Sequence, residues 1–158
     1  MTKELKQQFT RRISGANRTQ LVVILYEMFL AYIGEAEKAY GVQEKEAFRQ
    51  EIKRAKGCLH ELMASLNYDY PLAGNLLALY TFFDRQMTRA DVRYSAAELA
   101  PVKAMMRKLH DAYETVSAQD TSAPVMENTQ TVYAGLTYGR NSLTENLTNE
   151  GGSRGFLA

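Results

Sequence analysis

The sequence predicts an all-α protein, an antiparallel up-and-down four-helix bundle with a flexible C-terminal tail, and three observations lead there. Four segments repeat apolar residues with a period of about 3.5. Each stripe runs about three heptads, roughly 30 Å of helix at 1.5 Å per residue. The breaks between stripes are short, which favours antiparallel neighbours crossing near about 20°.

The first stripe is Leu21, Leu25, Met28, Tyr32 and Ala39, interrupted by Glu35. Asn17 is placed to cap this helix, with Gln20 three residues on to reach back. Gly41 suits a left-handed helix end. The second stripe is Phe48, Ile52, Ala55, Leu59, Leu62 and Leu66. Residues 67–71 then break the chain, with Pro71 placed as a first helical residue. The third stripe is Leu72, Leu76, Leu79, Phe83 and Ala90. Ser95 to Glu98 reads as a capping box for the fourth, which is Leu99, Val102, Met106, Leu109, Tyr113 and Val116. Pro101 either kinks that helix or starts it. Leu25, Leu59, Leu76 and Leu109 are expected among the most buried side chains.

This divides the chain into a basic N-terminal arm (1–16), the helical bundle (17–116) and a linker and tail (117–158). The tail is expected to be partly disordered or folded back on the bundle. Within it, Val132, Leu136, Leu143 and Leu147 fit a short amphipathic helix, and the run Val132 to Tyr138 also alternates like a strand. A tethered apolar segment suits a weak placeholder over a partner groove.

Composition excludes several function classes. Hydrophobic residues make up 46% and charged residues 23%, with 19 basic against 18 acidic groups and a formal charge of +1. No general polyanion-binding surface follows, so no nucleic-acid partner is expected. No uninterrupted apolar run approaches the roughly 18–20 residues of a membrane span, and no signal core opens the chain. Cys58 is the only cysteine, which fits a reducing, cytoplasmic setting and a buried filler role.

Catalytic constellations are missing from the pattern. His60 and His110 fall on different stripes, with Gly57 and Arg107 where a Glu-x-x-His metal pair needs glutamate. No Gly-rich phosphate loop, HExxH or GxSxG occurs. The reading is therefore a non-enzyme with no catalytic residues, no metal and no cofactor.

The third stripe is the anomaly. Residues 72–83 are apolar nearly all round, while one seam covers about a third of a helix. Either this is the most central helix, or part of the surplus is a groove for a partner's amphipathic helix.

The order of motifs resembles the flagellar secretion chaperone family FliS. Residues 16–27, Ala-Asn-Arg-Thr-Gln-Leu-Val-Val-Ile-Leu-Tyr-Glu, resemble that family's leucine-rich first helix. Arg54-Ala55 with Leu59, Glu61-Leu62 and Leu66 is similar to its second. Residues 73–80, Ala-Gly-Asn-Leu-Leu-Ala-Leu-Tyr, are similar to its most distinctive stretch, and Glu98-Leu99, Val102, Leu109 and Ala112-Tyr113 to its last helix. The chain departs from the family at Arg18, Met28 and Tyr113, where proline, glycine and tryptophan are usual. Phe9 lies only near the position of the family's N-terminal tyrosine.

The resemblance implies a cytoplasmic export chaperone. It would bind the C-terminal segment of flagellin, block premature polymerisation and assist delivery to an export-gate protein. Tyr26, Asn75, Leu77, Tyr80 and Phe82 are the expected partner-binding residues, with Asn75 bonding partner backbone and the others supplying apolar contact. A generic helical-bundle adaptor or regulator, homodimeric or not, is the competing reading.

Overall fold

The computed structural model describes residues 3–126. It contains five α-helices and, among the described residues, no strand: α1 (Lys3–Ser14), α2 (Arg18–Gly41), α3 (Lys45–Ala64), α4 (Leu72–Arg93) and α5 (Leu99–Ser117). Residues 3–125 pack as one unit. The readings made for 127–158, including a fold-back of Val132–Leu147, lie outside the described residues.

Local signals set most of the boundaries. The Asn17 side chain accepts from the Gln20 amide at 2.8 Å, and the Gln20 side chain accepts from the Asn17 amide at 2.9 Å. That is the reciprocal box expected from sequence. At its other end α2 runs through Gly41, and the left-handed residue that makes the turn is Gln43 (φ 60) instead. Pro71 stands just before α4 and not inside it. Ser95 and Glu98 do bond to each other, but in the turn ahead of α5, which starts at Leu99. Pro101 thus falls in the first helical turn, where the amide it lacks has no intrahelical acceptor, so no kink is needed.

Tyr94 ends α4 in the left-handed region (φ 48), an unfavourable conformation for a residue with a Cβ. Its ring is held at 5.2 Å from Tyr40 and 5.3 Å from Phe48, with the Lys45 ammonium 5.6 Å away. These contacts offset the strain.

The central helix is α2. Helices α1, α3 and α5 approach it closely along the backbone, whereas the backbone of α4 comes close only to α3 and α5 and reaches α2 through Tyr80. This answers the question left by residues 72–83: α4 is peripheral, and its surplus apolar residues are not spent on extra neighbours. The fully buried set includes Phe29, Ile33, Phe48, Ile52, Leu59, Phe83, Met87, Leu99 and Met106. Each such side chain contributes roughly 1.5–3 kcal/mol through burial.

Two of the four leucines expected in the deepest layer are there, Leu59 and Leu76. Leu25 and Leu109 are only half-buried, packed against the margin of the core. On α2 the deepest face is Tyr26, Phe29, Ile33 and Ala36. A helix with neighbours on three sides is apolar nearly all round, so one heptad stripe does not mark its centre. For the same reason α2 is long and apolar enough, by length and composition alone, to cross a membrane. Here its deepest residues lie in a protein core.

The N-terminal arm is a helix. Phe9 of α1 forms a small second core with Ala16 and Ile24, flanked by Leu5, Ile13, Leu21 and Met28. The Arg12 guanidinium forks onto the Glu27 carboxylate. Downstream, residues 118–125 turn back over the α1–α2 corner. The Asn17 amide group donates to the carbonyls of Asp120 (3.1 Å) and Ser122 (3.5 Å). The Thr19 hydroxyl donates to the Asp120 carboxylate, and the Val125 amide donates to the Ala16 carbonyl at 3.0 Å. The start of the expected linker is therefore a strap fastened to Asn17, which is itself buried.

Candidate partner-binding site

The structure separates the five residues singled out from sequence into three places. Tyr26 and Tyr80 are core residues, fully buried, with their hydroxyls hydrogen-bonded to each other. Tyr113 closes on Tyr26 edge-on, with ring centroids 5.5 Å apart. Burial pushes the phenol of Tyr26 far up and that of Tyr80 up to about 12, so both stay neutral donors at physiological pH. Asn75 and Phe82 are exposed on α4, Phe82 at 42%. Leu77 is half-buried. Five residues at about 100° each put it about 140° round the helix from Phe82.

Contacts show which flank is which. Asp84 meets Lys56 (3.6 Å) and His60 (3.2 Å) of α3, and Asp91 meets Arg49 of α3 at 3.4 Å. Leu77 is on that α3-facing flank by helical phase. Leu72, Asn75, Leu79, Phe82 and Gln86 form the opposite flank, towards α5.

The same argument applies to α5. Lys103 pairs with Glu37 and His110 approaches Glu27 at 3.7 Å, both on α2. The other flank of α5 carries Met105, Leu109, Ala112 and Val116. Helices α4 and α5 meet over far less of their length than α2 and α3 do. Their facing flanks therefore leave an apolar face partly uncovered, with Leu72 56%, Phe82 42%, Met105 37% and Val116 56% exposed. The sequence reading missed the α5 half, because Leu109 and Val116 read as core seam and Met105 was not singled out. The signal was available as a second apolar row beside the Val102–Met106–Tyr113 seam.

One end of this face opens into a recess of about 380 Å³. Val22 of α2, Leu62 of α3, Leu66 just beyond that helix, Leu72, Leu76 and Tyr80 of α4 and Tyr113 of α5 line it. Tyr68 and Tyr70 are exposed on the α3–α4 turn, at 64% and 67%. The recess and the α4–α5 face share Leu72. Together they offer apolar contact with amide groups at Asn75 and Gln86, an arrangement that suits binding of a peptide segment and supplies no reacting group.

The chemistry-bearing groups lie elsewhere. Cys58 is buried and its thiol is pushed up to about 12 by that burial, which leaves it an inert filler as expected. His110, Asp111 and Glu114 bring ligand atoms within 4.8 Å of one another on α5. The search for Glu-x-x-His pairs did not anticipate that cluster. It is largely exposed and adjoins the Arg12–Glu27 ion pair.

Comparison with known proteins identifies the family. The family model described as Flagellar protein FliS matches residues 1–120. The chain is also similar to the Flagellar secretion chaperone FliS of Bacillus subtilis (strain 168), at 24% identity over 102 residues, 65% of this chain and 77% of that protein. The matched family span takes in all five helices and the first turn of the strap, and the chain belongs to the FliS family of flagellar proteins.

Proposed function

We propose that the chain is a cytoplasmic export chaperone that holds the C-terminal helical segment of flagellin before polymerisation and assists its delivery to the export apparatus. The observation that carries this reading is the uncovered apolar face of α4 and α5, formed by Leu72, Phe82, Met105 and Val116. Helices α2 to α5 serve as an antiparallel up-and-down bundle, and the scaffold fixes this face. An amphipathic segment laid there hides the surface through which it would otherwise self-assemble. Ordering the segment only on binding keeps the complex reversible. The role is binding, not catalysis.

Tyr26 and Tyr80 act in this reading from behind, by fixing the wall that carries Tyr113 and Leu76. Asn75 and Phe82 touch the partner. Leu77 does not belong to the contact surface. The test is capture of flagellin from a flagellated-cell lysate by the full chain, compared with a Phe82→Asp variant. Flagellin retained by the first and lost by the second supports the role. Capture of a different protein alone favours the adaptor reading, and equal capture by both places the contact elsewhere.

A further inference from the structure

The charges around the α4–α5 face are sorted by sign. Helix α4 has two acidic residues, Asp84 and Asp91, and both are engaged by α3. Helix α5 has two, Asp111 and Glu114. The first is exposed and bonds only its neighbour His110, and the second borders the recess between α1 and α2. None of the four carboxylates borders the apolar face. Its edges carry Arg85 and Arg89 on α4 and Lys108 on α5, all exposed. Among the described residues these three have no ion-pair partner. The whole chain carries a formal charge of only +1, so this one-signed rim is a local property.

We infer that the segment taken by this face is acidic: an amphipathic helix whose apolar stripe is flanked by carboxylates that meet Arg85, Arg89 and Lys108. The inference rests on the reading above that the α4–α5 face is the docking site. Exposed cations on a helix are commonly just solvated. The distinguishing observation is that none of the four carboxylates of α4 and α5 pairs with these three cations, while Asp84 and Asp91 are taken up by α3. Arg85 and Arg89 stand one turn apart, about 6 Å along the axis. Carboxylates at the same spacing on a partner helix match them, while a basic segment of equal apolarity meets like charge. Such a rim steers the encounter and fixes orientation more than it adds contact energy, and salt screens it.

The experiment titrates the full chain with two designed helical peptides of identical apolar stripe, one with glutamates at the flanking positions and one with lysines. The acidic peptide binds on the order of tenfold tighter at low ionic strength, and the gap closes at about 0.5 M salt. The triple variant Arg85→Gln, Arg89→Gln, Lys108→Gln loses the preference while its thermal unfolding is unchanged. Equal binding of the two peptides overturns the inference. If Phe82→Asp still abolishes binding in that case, the docking face stands and only its charge selectivity falls. If neither peptide binds and Phe82→Asp leaves flagellin capture intact, the docking reading falls and takes the inference with it.

Discussion

The hydroxyls of Tyr26 and Tyr80 meet inside the core and join α2 to α4, two helices that make no close backbone approach to each other. The bond ties the helix that carries half of the exposed apolar face to the central helix. Tyr26→Phe leaves the Tyr80 hydroxyl buried without its partner, and Tyr80→Phe does the reverse. Each single change costs about 1–3 kcal/mol in denaturant unfolding, and the double Phe variant costs less than the sum of the two. Full additivity would show that the hydroxyls do not depend on each other.

The same burial makes stability fall on the alkaline side. Burial raises Cys58 from 9.0 to about 12 and Tyr80 from 10.0 to about 12. Between the ordinary and the raised value the unfolded chain has released the proton and the folded one has not. The folded state then binds more protons, so stability drops as pH rises. The contribution is fully present below pH 9 and declines from there to about pH 12. Cys58→Ala should delay the onset of that decline by about one pH unit, read from denaturant midpoints across the range. An onset unchanged in this variant would remove the thiol from the account.

Asn17 serves two partners at once, and two substitutions separate them. Asn17→Asp keeps the oxygen that caps α2 but loses both donated bonds and sets a carboxylate beside Asp120. Asn17→Ala loses the cap as well. The Asp variant should release the strap, with faster hydrogen exchange at the Val125 amide, while α2 keeps its protection. The Ala variant should cost about 1 kcal/mol more. Slow exchange at Val125 in the Asp variant would mean that the Ala16 carbonyl holds the strap unaided.

Phe9 anchors α1 through a small core that is separate from the main one. Phe9→Ala should therefore free α1 locally, raising exchange from Lys6 to Ser14 by at least about tenfold. The global unfolding midpoint should move far less than the 2–5 kcal/mol typical of a truncation in the main core, such as Leu59→Ala.

Much of the fold was legible because helix periodicity and caps are local. The four long helices lie where their stripes and breaks put them, and the Asn17–Gln20 box was readable from two residues. The misreadings came from non-local facts. Which face of α2 lies deepest depends on three neighbours, so Leu25 was set too deep and Phe29 was overlooked. The Leu5–Phe9–Ile13 row is one residue wide and set among four cations, so α1 read as an arm. The candidate site was half legible. The apolar surplus of residues 72–83 pointed to α4, but only the packing shows that Tyr80 is inside, that Leu77 faces α3, and that Met105 and Val116 complete the face.

The central claim is that flagellin's C-terminal segment docks on the α4–α5 face. It is tested most directly by backbone amide shifts of the labelled chain during titration with a peptide of that segment. The account predicts the largest shifts from Leu72 to Gln86 and from Met105 to Val116, little change along Arg49, Lys53 and Lys56 of α3, and no response to a scrambled peptide. Shifts centred on α3, or the same pattern with the scrambled sequence, would contradict it.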